Sequence, residues 1–249
     1  MNLVVCVKRV PDTASHVRPG SDGKSLDPSG ISYVANPYDE YAVEECLKIK
    51  EAVGGEVVVL SMGPKDATKE IRHCLAMGAD RAVLVKDSQI NRDPLTTAMG
   101  LVAALKTIDH DVIFFGRQAV DHDHSQVGTI VGTLLGLPVV TEVVKVEVGD
   151  GRLTVHREAE ARTLVLEVPT PCVLTAQKGL NEPRYASLKG IMQAKKKPID
   201  EVEVELQDCQ IEVLEMRSPP PRPPGKIVGE GVEAVPELVR LLREEAKVL

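Results

Sequence analysis

Across 249 residues, 30 basic and 37 acidic side chains leave a formal charge of −7, which excludes the strongly basic surface of an electrostatic nucleic-acid binder. Aromatic residues make up 2%, with no Trp and two Phe, too few for base-stacking platforms, so any nucleotide here is to be held by aliphatic and backbone contacts. The length suits one large α/β domain, or such a domain with an extension.

In chain order, the first half alternates short apolar runs with amphipathic stretches. Strands are expected at Leu3–Val7, Val57–Leu60, Ala82–Val85 and Val112–Phe115, whose continuous apolar character fits central parallel strands covered on both faces. Helix starts lie between them. Asn36-Pro37 offers a capping side chain before a proline at the first helical position, with Asp39 and Glu40 in the first turn. That helix is expected to bury Ala42, Cys46, Ile49 and Val53. Gly63-Pro64 and Asp93-Pro94 open the next two, and Ser125 is expected to cap a fourth that runs to about Gly136. Alternation of this kind implies a doubly wound, mostly parallel sheet of Rossmann-like, adenine-nucleotide-binding type.

Beyond Leu137-Pro138 the pattern changes. Val139–Val148, Leu153–Glu158 and Thr163–Val168 read as strands of an antiparallel addition spanning 139–176, with another short strand between Pro169 and Ala176. Val202–Leu206 and Ile211–Met216 read as a further pair. The run from Ser218 through Pro223 to Gly225 is a stiff linker, followed by an amphipathic helix around Val235, Leu238, Val239 and Leu242. The expected division is an α/β nucleotide-binding domain over 1–217 and a C-terminal arm over 218–249. No internal repeat is present.

Two loops at the carboxyl ends of the parallel strands are candidates for ligand chemistry. One is Lys8 to Asn36, too long for a plain connection. The other, Gly116 to Thr129, runs into a helix N-terminus suited to an anion. Gly128, Gly132 and Gly136 follow at intervals of four, a stripe kept smooth for a nucleotide or for tight helix–sheet packing; Gly136 also suits a helix C-terminal cap. There is no G-x-G-x-x-G fingerprint, no phosphate loop and no nucleophile elbow. Asp121-His122-Asp123-His124 contains metal-ligand types, but neighbours on an extended loop rarely converge, so no metal is assigned. Cys6, Cys46, Cys74, Cys172 and Cys209 lack CxxC spacing and read as reduced thiols, most of them buried. With no apolar run of spanning length and no targeting peptide evident, a cytoplasmic protein without membrane insertion is expected.

The stretch from Asn181 to Lys197 has a different character. Tyr185, Leu188, Ile191 and Met192 form one apolar side among polar neighbours, and Lys195 to Lys197 cannot be desolvated cheaply. It reads as a docking element, or as a surface helix packed on its own domain.

Six strings carry a family resemblance: VVCVKRVPDT from Val4, ANPYDEYAVEE from Ala35, SMGP from Ser61, LAMGADRAV from Leu75, GRQAVDHDHSQVG from Gly116 and LNEPRYASLKGIMQAKKKP from Leu180. In this order and spacing the chain resembles electron transfer flavoprotein beta subunits from residue 1 to about residue 200. The resemblance implies an electron carrier subunit, not an enzyme. It pairs with an alpha subunit that holds most of the FAD, binds AMP as a structural ligand, and accepts electrons from acyl-CoA and related dehydrogenases for a membrane quinone oxidoreductase. Matching AMP-contact positions are Cys6, Asn36, Pro37, Tyr38, Asp39, Met62 and the segment His122 to Thr133, which includes Asp123, Ser125, Gln126, Val127, Gly128 and Thr129. Leu188 matches the partner-recognition anchor, with Tyr185, Ile191 and Met192 around it. Thr13 stands where many AMP-type relatives carry a tyrosine near the flavin. VCVKRVPDT and SQVG look closer to an electron-bifurcating branch with a second FAD in place of AMP, whereas His122-Asp123-His124 and Thr129 depart from that branch. A stand-alone adenine-nucleotide sensor domain is the alternative of another class.

Overall fold

The computed structural model describes residues 1–89, 92–222 and 224–249; Pro223 of the proline-rich linker lies outside the described residues. Nine strands form one sheet in the order β11-β5-β4-β1-β6-β10-β7-β8-β9. They are β1 (Asn2–Cys6), β4 (Glu56–Gly63), β5 (Arg81–Lys86), β6 (Val112–Gly116), β7 (Val139–Val148), β8 (Arg152–Ala159), β9 (Arg162–Pro169), β10 (Cys172–Ala176) and β11 (Ile199–Val202). A small antiparallel pair, β2 (Arg9–Pro11) and β3 (Tyr33–Ala35), lies within the long loop after β1.

The apolar runs are strands because both of their faces are covered. Along β1, Leu3 and Val5 join the core beneath α1 (Pro37–Val53) and α2 (Thr68–Met77). Val4 and Cys6 join the opposite core, beneath α3 (Pro94–Leu105) and α4 (Val127–Leu135). The two-residue alternation of the pleat thus feeds two separate cores from one strand. Asp93 caps α3, its side chain accepting from the Thr96 amide.

Several expectations are corrected. Val53 is half exposed, because α1 has passed the edge of its core by its last turn. Ser125 does not cap α4; the cap residue is Gln126, with no side-chain bond, and Ser125 sits one place earlier at φ 54°. The antiparallel addition comprises only β7, β8 and β9; β10 runs parallel to both β6 and β7 and is buried between them. The pair at 202–206 and 211–216 does not form. The sheet is instead extended by β11, parallel to β5, after which the chain leaves it. The arm ends in α6 (Val235–Glu244), where Leu241 is buried while Val235 and Leu238 stay exposed.

Candidate functional site

From β1 the sheet grows one way through β4 and β5 and the other way through β6, so connections diverge at the carboxyl ends of β1 and β6. Open α/β sheets bind ligands at this crevice. Here it holds a cavity of about 370 Å³. Cys6 and Met62 reach it from the ends of β1 and β4, Asp39 from the first turn of α1, and Ser125 to Gly128 from the start of α4.

Asp39 is the hub of the crevice. One carboxylate oxygen accepts from the Lys8 amide at 2.7 Å, the other from the Gly116 amide at 3.0 Å and Asn36 Nδ2 at 2.9 Å. It therefore ties the ends of β1 and β6 to the start of α1. Burial pushes its carboxyl up to about 7, against the pull of those three donors. Gly116 is required here, since a Cβ would run into Asp39 Oδ1 and Tyr38. Asn36 is wholly buried; its Nδ2 also donates to the Gln118 carbonyl at 2.8 Å, and its Oδ1 accepts from the Val120 amide at 3.1 Å. It pins the Gly116 loop to α1.

That loop is fastened again at its tip. Lys8 Nζ pairs with Asp121 at 2.6 Å, and His122 Nδ1 lies 3.1 Å from the same carboxylate. Burial would raise Asp121, but the His122 bond and the Lys8 charge outweigh it and hold it at about 2. Asp123 accepts from Gln118 Nε2, and Ser125 Oγ donates to Gln118 Oε1 at 3.1 Å. Both residues hold positive φ, 52° and 54°, which non-glycine residues adopt only when surroundings compel it. The loop then delivers α4 with no side-chain cap for its first amides, and Val127 and Gly128 of that first turn line the cavity.

Of the residues singled out from sequence, Cys6, Asp39, Met62, Ser125, Gln126, Val127 and Gly128 converge on the cavity. Asn36 and Asp123 do not line it but bond to the loop that does, and Pro37 and Tyr38 open α1 without lining it. Thr129 and Thr133 are exposed, and the Thr133 hydroxyl donates back to the Thr129 carbonyl at 2.9 Å. The glycine stripe divides likewise. A Cβ on Gly132 would collide with Val139, so that position serves helix–sheet packing, and Gly136 at φ 68° terminates α4. Burial first, then the Asp39 charge, pushes the Cys6 thiol well up, which leaves no thiolate for chemistry. Among the described residues no cluster of three His, Cys, Asp or Glu is placed to hold a metal ion.

Sequence reasoning missed one side of the cavity altogether. Asp87, Arg92 and Asp93 line it from the β5–α3 connection, and Ile211, Val213 and Met216 from the stretch expected to be a strand. Asp93 was legible only as a helix start.

On the opposite face, α5 (Leu188–Ala194) carries Leu188, Ile191 and Met192 of the docking residues, with Tyr185 just before it and Ser187 capping it through the Gly190 amide at 3.0 Å. Tyr185 is 98% exposed, Leu188 82%, Met192 70% and Ile191 45%, so the apolar side faces solvent rather than its own domain. Its base is rigid. Arg184 grips Glu44 with Nε at 2.8 Å and Nη2 at 2.9 Å and also reaches Glu51, while Asn181 Nδ2 donates to Glu45 at 2.9 Å. The lysine run is only partly solvated, contrary to expectation. Lys197 Nζ donates to the carbonyls of Leu75 and Ala79 at the end of α2, where a cation suits the helix dipole.

The electron transfer flavoprotein domain model matches residues 25–207. An electron transfer flavoprotein subunit beta from Bacillus subtilis is 38% identical, with all of both chains covered. One from Bradyrhizobium diazoefficiens is 40% identical, again over all of both chains. The caffeyl-CoA reductase-Etf complex subunit CarD of Acetobacterium woodii is 37% identical over 98% of this chain and 99% of its own. Three end-to-end matches at such identity, on a doubly wound sheet with its crevice built from the motif residues, show that this chain belongs to the electron transfer flavoprotein family as a beta subunit.

Proposed function

We propose that this chain holds AMP in the crevice, helps to enclose an FAD carried mainly by an alpha subunit, and docks on acyl-CoA-type dehydrogenases. Electrons would pass onward to a membrane quinone oxidoreductase. The single observation that supports this most is one chain pairing a cavity at the switch point with an apolar knob held clear of the surface.

The residues present suit an adenylate. A cavity of about 370 Å³ lies near the lower end of small-molecule sites, and AMP is less than half the size of FAD. Its walls are aliphatic at Met62, Leu101 and Val127, which suits a base held without stacking. The uncapped amides at the start of α4 suit its phosphate. FAD, when bound, supplies the one-electron chemistry; this chain's part is to position and to recognise. In this reading residues 1–217 form the nucleotide-binding domain and 218–249 an arm available to the partner subunit. No described helix is long and apolar enough to cross a membrane, and we place the protein in the cytoplasm.

The test is acid release of nucleotides from the protein purified with its alpha subunit. One FAD with one AMP per heterodimer is expected. Two FAD would establish the bifurcating reading, which the Acetobacterium relative's membership of a reductase complex keeps in view. A colourless homodimer would establish the sensor reading instead.

A further inference from the structure

The cavity has a wall that belongs to no regular element. After β11 the chain passes Leu206, whose side chain packs with Met62 against α3 at Gly100; a Cβ there would lie 2.9 Å from Leu206 Cδ2 and 2.8 Å from Met62 Sδ. Residues 207–216 then cross the mouth of the crevice. Their near end is latched at the α3 N-terminus: Asp93 Oδ2 accepts from the Gln210 amide at 2.8 Å, and the Asp93 amide donates to Cys209 Sγ at 3.3 Å. Arg92, paired with Asp87 at 2.7 Å, donates to the Gln207 carbonyl. The far end is held on the β2–β3 loop, where the Met216 amide donates to the Gly23 carbonyl at 2.7 Å and Lys24 pairs with Glu212 at 2.9 Å. Between the two, Val213, Met216 and the largely exposed Ile211 line the cavity, while Leu214 points to solvent.

We propose that residues 207–216 are the wall that restricts this site to a mononucleotide, with Asp93 as the latch that fixes it. The proposal rests on the AMP reading above. In that reading the latched strap sets Ile211 and Val213 at the rim of the cavity, where a chain beyond the first phosphate would have to run. A ligand extended beyond that phosphate must lift the strap and break the bonds at one end. The preference for AMP over a longer adenylate is then bounded by what those bonds hold. Asp93 is suited to the role because it joins the two parts: Oδ1 caps α3 through the Thr96 amide, and Oδ2 accepts from both the Thr96 hydroxyl and the strap's Gln210 amide.

The experiment is competition of unlabelled AMP and ADP-ribose against radiolabelled AMP on the intact heterodimer. Wild type is expected to prefer AMP by about 30-fold or more, as a latch of a few hydrogen bonds allows. Asp93→Ser keeps a capping oxygen for α3 and removes the strap's acceptor; it is expected to narrow the preference to about 3-fold, mainly through tighter ADP-ribose binding. Ile211→Gly with Val213→Gly alters only the partly exposed strap and is expected to do the same, so the result does not hinge on α3 folding. If AMP binds and both variants keep the wild-type preference, the wall is refuted while the AMP reading stands. If AMP does not bind the wild-type heterodimer, the AMP reading fails and the wall falls with it.

Discussion

Replacing Arg184 with Met tests whether the docking helix depends on a built pedestal. The guanidinium makes a two-point contact with Glu44, whose side chain is 7% exposed, and a second contact with Glu51, which is 60% exposed. The Glu51 contact is worth under about 1 kcal/mol, since solvent screens it. Glu44 matters more. Without the guanidinium it keeps only the backbone amide of residue 184, at 3.1 Å. Stranding a fully buried ion costs about 3–5 kcal/mol, but Arg184 is a third exposed and water can enter, so about 2 kcal/mol is expected. For a chain of this size that lowers the melting temperature by about 4–8 °C. Flavin content should be unchanged, and dehydrogenase-driven flavin reduction should slow because Leu188 is no longer presented in one position. Adding Glu44→Gln to Arg184→Met should recover at least half of the lost stability, since no unpaired charge then remains. The reasoning is refuted if Arg184→Met melts within about 1 °C of wild type, or if the second substitution makes matters worse.

Other perturbations address the remaining parts. Leu188→Ala should leave folding and bound nucleotides intact, because the side chain is exposed, yet weaken dehydrogenase docking about 30-fold; an unchanged rate of flavin reduction at low protein concentration would remove that role. Asp39 binds its proton more tightly folded than unfolded, so its contribution is complete below its unfolded value near 3.8 and is lost as pH rises through about 7. Between about pH 5.5 and 8 wild type should therefore lose roughly 2 kcal/mol, an effect that Asp39→Asn abolishes while lowering stability throughout by removing an acceptor; parallel pH profiles in urea unfolding would contradict this. Gly132→Ala should destabilise by about 1–2 kcal/mol, because the clash with Val139 exceeds the gain in helix propensity, and a stabilised variant in thermal melts would show the packing is loose.

What could be read in advance was whatever is encoded locally. The four apolar runs became β1, β4, β5 and β6 because a strand covered on both faces needs apolar residues at every position. Asn36-Pro37 and Asp93-Pro94 marked helix starts because a proline there gives up no hydrogen bond. Pairing partners were not legible, since nothing in Cys172–Ala176 states that it inserts between β6 and β7. The segment 202–216 shows why pattern alone fails. Val202, Val204 and Leu206 alternate with acidic residues as an edge strand does, but β5 offers an open edge only as far as Val202. Beyond it, Val204 and Leu206 find a better partner in the core beneath α3, and the chain is turned across the crevice. An alternating pattern specifies which side chains seek cover, not what covers them. The same limit applies to the site. Cys6, Asp39 and Met62 were found through the family resemblance, and Gly128 through its loop at the start of a helix; all four fall at strand ends and helix starts, the places chemistry uses. Ile211 and Val213 were missed because their place over the cavity depends on two anchors far apart in sequence, at Asp93 and Gly23.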